Sequence, residues 1–365
     1  MKILVITFSI SNGGDFLIER CMNNLIKETW KDYEVDTING IKHIETELFN
    51  RYNLIIAGGG PYYDNRVIRE IWLPLFSDIN NIIPPIHILG SGIYGWDCFA
   101  CAVNRKRFDE DIIDFLRQIE KKNGSFGCRD VLSYIVMKNN GFKNVYMTGC
   151  PAWYNFKFLD STSVDNYPRK INKIVISDPG VTKEVEKQEI IARQAIEVFK
   201  KVKQLFPEAE ISFTFNNGIN TKYSHVCNNI INDYLKKNKI AVYELDYDAD
   251  KFSVYNDADM HIGFRVHSHI YCLSRRIPSI LIEEDLRGFG MNETLGLPHL
   301  LSYDEICMHE NSIYKCNDFL TKQLEDIIEY FITTHYSRYN GVFYIMKDTY
   351  YNGFLNWARQ IEKSI

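Results

Sequence analysis

The chain has no apolar run near the ~18 residues that a membrane-spanning helix needs. Residues 1–8, Met-Lys-Ile-Leu-Val-Ile-Thr-Phe, read as a short buried strand. They lack the basic start, the longer apolar stretch and the cleavage site of a signal peptide. A cytoplasmic location is the expectation. Basic excess is missing too: a formal charge of -5 gives no reason to expect nucleic acid as a partner. The nine cysteines are scattered through apparent core segments and read as reduced thiols. Cys98-Phe99-Ala100-Cys101 is the one CxxC pair, with no second pair at zinc-ribbon spacing, so no metal is expected from it. Solenoid repeats and low-complexity tracts are also absent.

What is present is globular. A length of 365 residues exceeds one ordinary core and suits two domains of ~150–180 residues each. Aromatic residues make up 14%, which serves packing and also suits sugar-binding surfaces.

Two series of short apolar strands alternate with helical patterns. The first has strands at 3–8, 54–57, 86–89, 125–128 and 145–147, with helices near 16–29, 66–76, 109–121 and 131–139. A polar segment, 160–172, reads as a linker. The pattern restarts with strands at 173–177, 210–215, 241–245, 259–263 and 280–282, and helices at 183–206 and 223–237. Helices near 317–334 and 344–363 close the chain. Strands separated by helices of this length imply parallel, doubly wound α/β sheets. The expected domains are 1–160 and 173–335, with 336–365 a C-terminal helix that could return to the first domain. Two such domains leave a cleft outside the carboxyl ends of their strands, where ligands are expected.

The densest chemistry is Arg265-Val266-His267-Ser268-His269, at a strand end just before a helix. A cation and an imidazole beside a helix N-terminus suit an anion. His267 comes first after the arginine and is the candidate acid, base or phosphate ligand. Residues two apart share no helix face, so His267 and His269 do not read as a metal pair. Gly58-Gly59-Gly60 follows a strand, and three glycines exceed what a turn requires, which favours ligand contact there. Asn12-Gly13-Gly14-Asp15 follows the first strand, where Asp15 reads equally as an N-cap or a ligand contact. Arg129, in Gly127-Cys128-Arg129-Asp130, is either bridged to Asp130 or aimed at the cleft as a carboxylate or phosphate fork; the second is favoured. Gly90-Ser91-Gly92-Ile93-Tyr94-Gly95 matches GxGxxG with acids at 109–111. It does not follow the first strand, which argues against nicotinamide. Asp246/Asp248 and Asp257/Asp259 read as solvated loop acids.

These segments, in this order, resemble the polysaccharide pyruvyltransferase family. The resemblance rests on Asn12-Gly13-Gly14-Asp15, on Gly58–Gly60 followed by Asp64, and on Arg129-Asp130-Val131-Leu132-Ser133. Thr148-Gly149-Cys150-Pro151-Ala152, Arg265-Val266-His267 and Gly296-Leu297-Pro298 complete it, over roughly residues 1–300. Cys150 stands where the family usually has Asp, and Ser177-Asp178-Pro179 where many members carry an arginine. The resemblance implies two Rossmann-like domains in a GT-B-like arrangement and phosphoenolpyruvate as donor substrate, with no cofactor. It implies a sugar or lipid-linked oligosaccharide as acceptor, which leaves peripheral membrane association open, and a pyruvate ketal as product. Arg265 and His267 match the donor-binding Arg-x-His, and Arg129 the arginine of Arg-Asp-x-x-Ser. Arg265 and Arg129 are expected to clamp the anion. Asp15, Gly58, Gly59, Gly60, Asp64, Ser268 and Glu284 are counted as substrate-binding, and Tyr62, Tyr63, Tyr94 and Trp96 as aromatics that stack on the acceptor or pack in the core. The rival reading is a GT-B glycosyltransferase with a nucleotide-sugar donor, in which the acids 283–285 take ribose or sugar hydroxyls. A non-catalytic sugar-binding protein is the third.

Overall fold

The computed structural model describes every residue except 42–43, 61, 96–99, 166, 169, 181–184, 222–223, 306–314 and 364–365. The chain divides into two compact units. The first comprises Met1–Ile10, Ile18–Tyr154 and Met346–Ile365; the second comprises Ser11–Leu17 and Asn155–Ile345.

The first unit is built on a six-stranded parallel sheet: β1 Lys2–Thr7, β2 Glu34–Asn39, β3 Leu54–Gly58, β4 Ile86–Ser91, β5 Ser125–Cys128 and β6 Val145–Met147. Their order is β2-β1-β3-β4-β5-β6. β1, β3 and β4 are almost wholly buried runs of Ile, Leu and Val, as parallel strands covered on both faces require. β2 escapes sequence detection because it is an edge strand with Glu34 and Asp36 and no apolar run. The segment read as one helix at 66–76 contains a wide π turn at Ile68–Trp72. Pro74 follows it and lacks the N–H that would close a regular turn. The C-terminal helices pack on this unit: Trp357 is fully buried and its Nε1 donates to Ser125 Oγ at 2.8 Å.

The second unit holds a five-stranded parallel sheet: β7 Lys173–Ser177, β8 Glu210–Phe215, β9 Ala241–Glu244, β10 Met260–Gly263 and β11 Ser279–Leu281. The order β11-β10-β7-β8-β9 places the first strand in the middle. The connection reverses direction there, so the gap between the carboxyl ends of β7 and β10 is a topological switch point, the usual ligand position in such sheets. The helix Val266–Ser274 starts at that point, straight after β10. Leu286–Leu295, a helix the sequence pattern missed, starts after β11. Both sheets are doubly wound α/β, as the strand–helix alternation implies. No described helix is long and apolar enough to cross a membrane.

Beneath the β10 turn lies a buried polar string. His269 Nδ1 and His261 Nδ1 each lie 2.7 Å from Ser279 Oγ, and His261 Nε2 lies 2.9 Å from Ser177 Oγ. Ser177 Oγ in turn accepts the Arg265 N–H at 3.2 Å. Burial lowers the pKa of both imidazoles, His269 to about 3, so they stay neutral and act as hydrogen-bonding props for the turn.

Candidate active site

Three adjacent strands bring the site together in the second unit. β7 delivers Asp178, β10 delivers Arg265 and His267, and β11 delivers Glu284 and Asp285. The turn Ser11–Leu17 belongs to the same unit and supplies Asp15.

Arg265 is held from below. Its Nε and Nη2 donate to the two oxygens of Asp178 at 2.8 and 2.5 Å, and Asp178 also accepts the Asn216 N–H at 3.0 Å. The Asp178 side chain is fully buried, and that of Arg265 is 11% exposed. Asp178 is thus the acceptor that fixes this guanidinium. The fork takes two of its five donors, and three are not engaged by Asp178. Arg287, absent from the sequence-based set, is held likewise by Asp285 through Nε and Nη2. Its signal was the N-cap pattern, since Asp285 also caps the helix by accepting the Arg287 N–H.

His267 is half-buried in the first turn of Val266–Ser274. Its ring lies against the Asn12–Asp15 turn: a Cβ on Gly14 would fall 1.8 Å from His267 Nδ1, and one on Gly13 would fall 1.8 Å from the Leu245 carbonyl oxygen. The paired glycines therefore allow the start of the helix Gly13–Thr29 to reach the imidazole. Asn12 Oδ1 accepts the Gly14 N–H at 2.8 Å, so Asn12 takes the capping role and Asp15 sits inside the first turn. The starts of two helices, each with a partial positive charge, meet at one imidazole; the Gly13, Gly14 and Asp15 N–H groups are taken by Asn216 and Asn12.

Four carboxyls surround these two guanidiniums. Asp178 and Asp285 are forked to Arg265 and Arg287; Asp15 and Glu284 are not. Loss of water raises Asp15 to about 6, with Arg287 and Arg265 pulling the other way. Glu284 is 9% exposed, and both its oxygens accept the Gly180 N–H at 2.7 Å. Burial pushes it up to about 8, against the opposing pull of Arg265 and the Gly180 N–H. Its folded value lies above the ordinary 4.5, so the stability it contributes is complete below pH 4.5 and is lost as pH rises to about 8. Relative to Glu284→Gln, the wild-type protein should lose on the order of 4 kcal/mol between pH 5 and pH 9 in urea unfolding. A gap that does not change with pH would contradict this placement.

The remaining candidates lie as follows. Ser268 is buried, with its hydroxyl donating to Asn216 Oδ1 at 3.2 Å and accepting from Tyr255 at 2.8 Å, so its side chain serves the core. In the first unit, Arg129 is 5% exposed and its Nε donates to Asp130 at 3.3 Å, the bridge rather than the cleft-facing fork that the sequence favours. Its Nη2 is buried without a hydrogen-bond partner. Cys150, raised to about 11 by burial, stays a neutral thiol, so it brings no carboxylate charge to Arg129. Asp64 caps a short helix by accepting from the Arg66 and Val67 N–H groups. Gly58 and Gly59 have φ of 145° and 85°. A Cβ on Gly58 would meet the Leu89 carbonyl at 2.3 Å and one on Gly59 the Ile18 side chain at 2.5 Å, so backbone and packing within the unit already demand these two glycines; at Gly60 a Cβ would meet only the far end of the Tyr62 ring, at 2.5 Å. Tyr63 is buried and donates to the Gly127 carbonyl, whereas Tyr62 is half-buried and lines a hollow of about 530 Å³ with Phe8, Ile41 and Glu70. Tyr94 is half-buried. Trp96 and Cys98 lie outside the described residues.

The weaker motifs are absorbed by structure. Asp109 and Asp111 bind Arg69 at 2.6 and 2.7 Å. Asp259 accepts the Asn172 and Lys173 N–H groups, and Asp246 pairs with Lys251. No group that could hold a metal ion is found among the described residues.

Comparison with known proteins agrees with this architecture. A UDP-GlcNAc 2-epimerase from Neisseria meningitidis, bound to UDP-GlcNAc, superposes with TM-score 0.53 at 11% identity, over 100% of this chain and 99% of that one. A UGT transferase from Siraitia grosvenorii in complex with UDP gives 0.52 at 9%, with the same coverage. The S. aureus MnaA–UDP structure gives 0.52 at 13%, over 93% and 91%. At such identities these likenesses show the GT-B-like α/β fold alone. A search of curated protein sequences found no match. The family model for polysaccharide pyruvyl transferase matches residues 12–285, which span the Asn12 turn, Arg129, the Arg265-Val266-His267 turn and the Glu284 strand end. The chain therefore belongs to the polysaccharide pyruvyl transferase family and is a transferase.

Proposed function

We propose that the protein transfers pyruvate from phosphoenolpyruvate to a sugar, forming a pyruvate ketal on a polysaccharide or its precursor. The observation that carries this reading is the convergence of two helix N-termini on His267 at the switch point of the second sheet, with Arg265 and Arg287 beside them. Phosphoenolpyruvate carries a phosphate and a carboxylate. The first-turn N–H groups at residues 266–268 suit the phosphate, and the donors of Arg265 not taken by Asp178 suit either group.

The chemistry asks for little beyond this. The enol carbon must gain a proton, two sugar hydroxyls must attack the adjacent carbon, and phosphate must leave. Fixed N–H dipoles and guanidiniums stabilise the charge on the departing phosphate. His267 accepts a hydroxyl proton and passes it to that phosphate. Because Arg265 is already half-engaged, the clamp expected of Arg265 with Arg129 becomes, on this reading, Arg265 with the start of the helix Val266–Ser274.

Ligand-dependent melting tests the reading, because a ligand that binds only the folded state raises Tm. Phosphoenolpyruvate should raise it, by the equivalent of ~2.7 kcal/mol at one hundred times Kd. A rise with UDP or GDP and none with phosphoenolpyruvate would favour a nucleotide-sugar glycosyltransferase instead.

A further inference from the structure

Of the four carboxyls beside Arg265 and Arg287, Asp178 and Asp285 are spent on guanidinium forks. Glu284 is in none of the described ion pairs, yet it is buried three residues beyond β11, beside the strand that carries Arg265 and His267. Its hydrogen-bond donor is the backbone of Gly180, in the loop after Asp178. A Cβ at Gly180 would lie 2.6 Å from Glu284 Oε2, so glycine lets that backbone approach the carboxyl group. The geometry is that of a fixed, dry carboxyl group held by one backbone N–H, within electrostatic reach of Arg265 and Arg287 but forked to neither.

We propose that Glu284 is the acid that protonates the methylene carbon of the enolpyruvyl donor. The role rests on the phosphoenolpyruvate reading above. The Glu284 O–H gives its proton to the methylene carbon, and the double-bond pair becomes the new C–H bond. The neighbouring carbon, now electron-poor, accepts the oxygen of the first sugar hydroxyl, whose proton passes to His267. The bond from that carbon to the phosphate oxygen breaks, and its electron pair leaves with phosphate, which collects the proton from His267. The second hydroxyl closes the ketal, and its proton restores Glu284. One donor and two hydroxyls give one ketal and one hydrogen phosphate, with no oxidant or reductant.

Charged groups around Glu284 agree. Arg265 and Arg287 favour its ionised form; Asp285 and burial oppose it, and the sum leaves it protonated at neutral pH. Cys227, whose thiol the Glu284 charge helps to raise, is itself neutral. A bound phosphate and carboxylate add like charge and hold the proton more firmly. Asp15, at about 6, is mostly ionised at pH 7 and is the poorer donor.

The test pairs Glu284→Gln with wild type in two assays: calorimetric binding of phosphoenolpyruvate, and phosphate release with water or a panel of hexosides as acceptor. Glu284→Gln should bind phosphoenolpyruvate within threefold of wild type and release phosphate at least a hundredfold more slowly. The alkaline fall of the wild-type rate should vanish in the residual activity. Turnover within threefold of wild type overturns the proposal, as does loss of binding in step with turnover, which would make Glu284 a binding group. Wild type that binds phosphoenolpyruvate and releases no phosphate also counts against it. A wild-type protein that fails to bind phosphoenolpyruvate at all is a different result: it removes the donor reading itself.

Discussion

His267→Ala should slow phosphate release from phosphoenolpyruvate by a factor of hundreds to thousands, the usual contribution of a positioned acid or base, while the protein stays folded. The ring is half-buried and lies on the backbone of Gly14, so its removal leaves a solvent-accessible notch and no closed cavity. The melting temperature should change by only a few degrees. The loss would fall on turnover because the imidazole stands where both helix N-termini point, and no other described titratable ring shares that position. His269, two residues on, is locked to Ser279 in the core and kept neutral by burial, so it cannot substitute. Full activity in His267→Ala, with the fold intact by circular dichroism, would refute the assignment.

Asp178→Ala should be the most destabilising single change near the site, by about 3–5 kcal/mol, the cost of leaving one partner of a buried ion pair behind. Three donors lose their acceptor at once: Arg265 Nε, Arg265 Nη2 and the Asn216 N–H. The Asp178 carboxylate is fully buried, so water cannot take over without opening the loop. Asp178→Asn keeps one acceptor oxygen and should cost less. Urea unfolding of the two variants checks the order; equal stability of wild type and Asp178→Ala would show that the fork does not hold Arg265.

Much of the fold was legible in the sequence because parallel strands buried on both faces are continuous apolar runs. The strands at 125–128, 145–147, 173–177 and 210–215 lie where the pattern puts them. The misses have physical causes. β2 carries acids because one side of it is an open edge. The helix Leu286–Leu295 contains Gly288 and Gly290, poor helix formers that hide its period. Within the site, Arg265 and His267 could be named from a local motif. The supporting contacts could not, because Asp178 meets Arg265, and Gly180 meets Glu284, only through strand order, although Glu284 itself is named from the sequence. The same holds for Gly13 and Gly14, whose spacing reads as a ligand turn but whose small size is required by Leu245 and His267.

An anionic enolpyruvyl donor should bind at the β7–β10 switch point of the second sheet. A crystal structure with phosphoenolpyruvate soaked in is the direct measurement. Phosphate density should lie against the residue 266–268 N–H groups and the His267 ring, with the donor's methylene carbon facing Glu284. Phosphoenolpyruvate bound away from His267, or an empty switch point that fills with UDP instead, would contradict it.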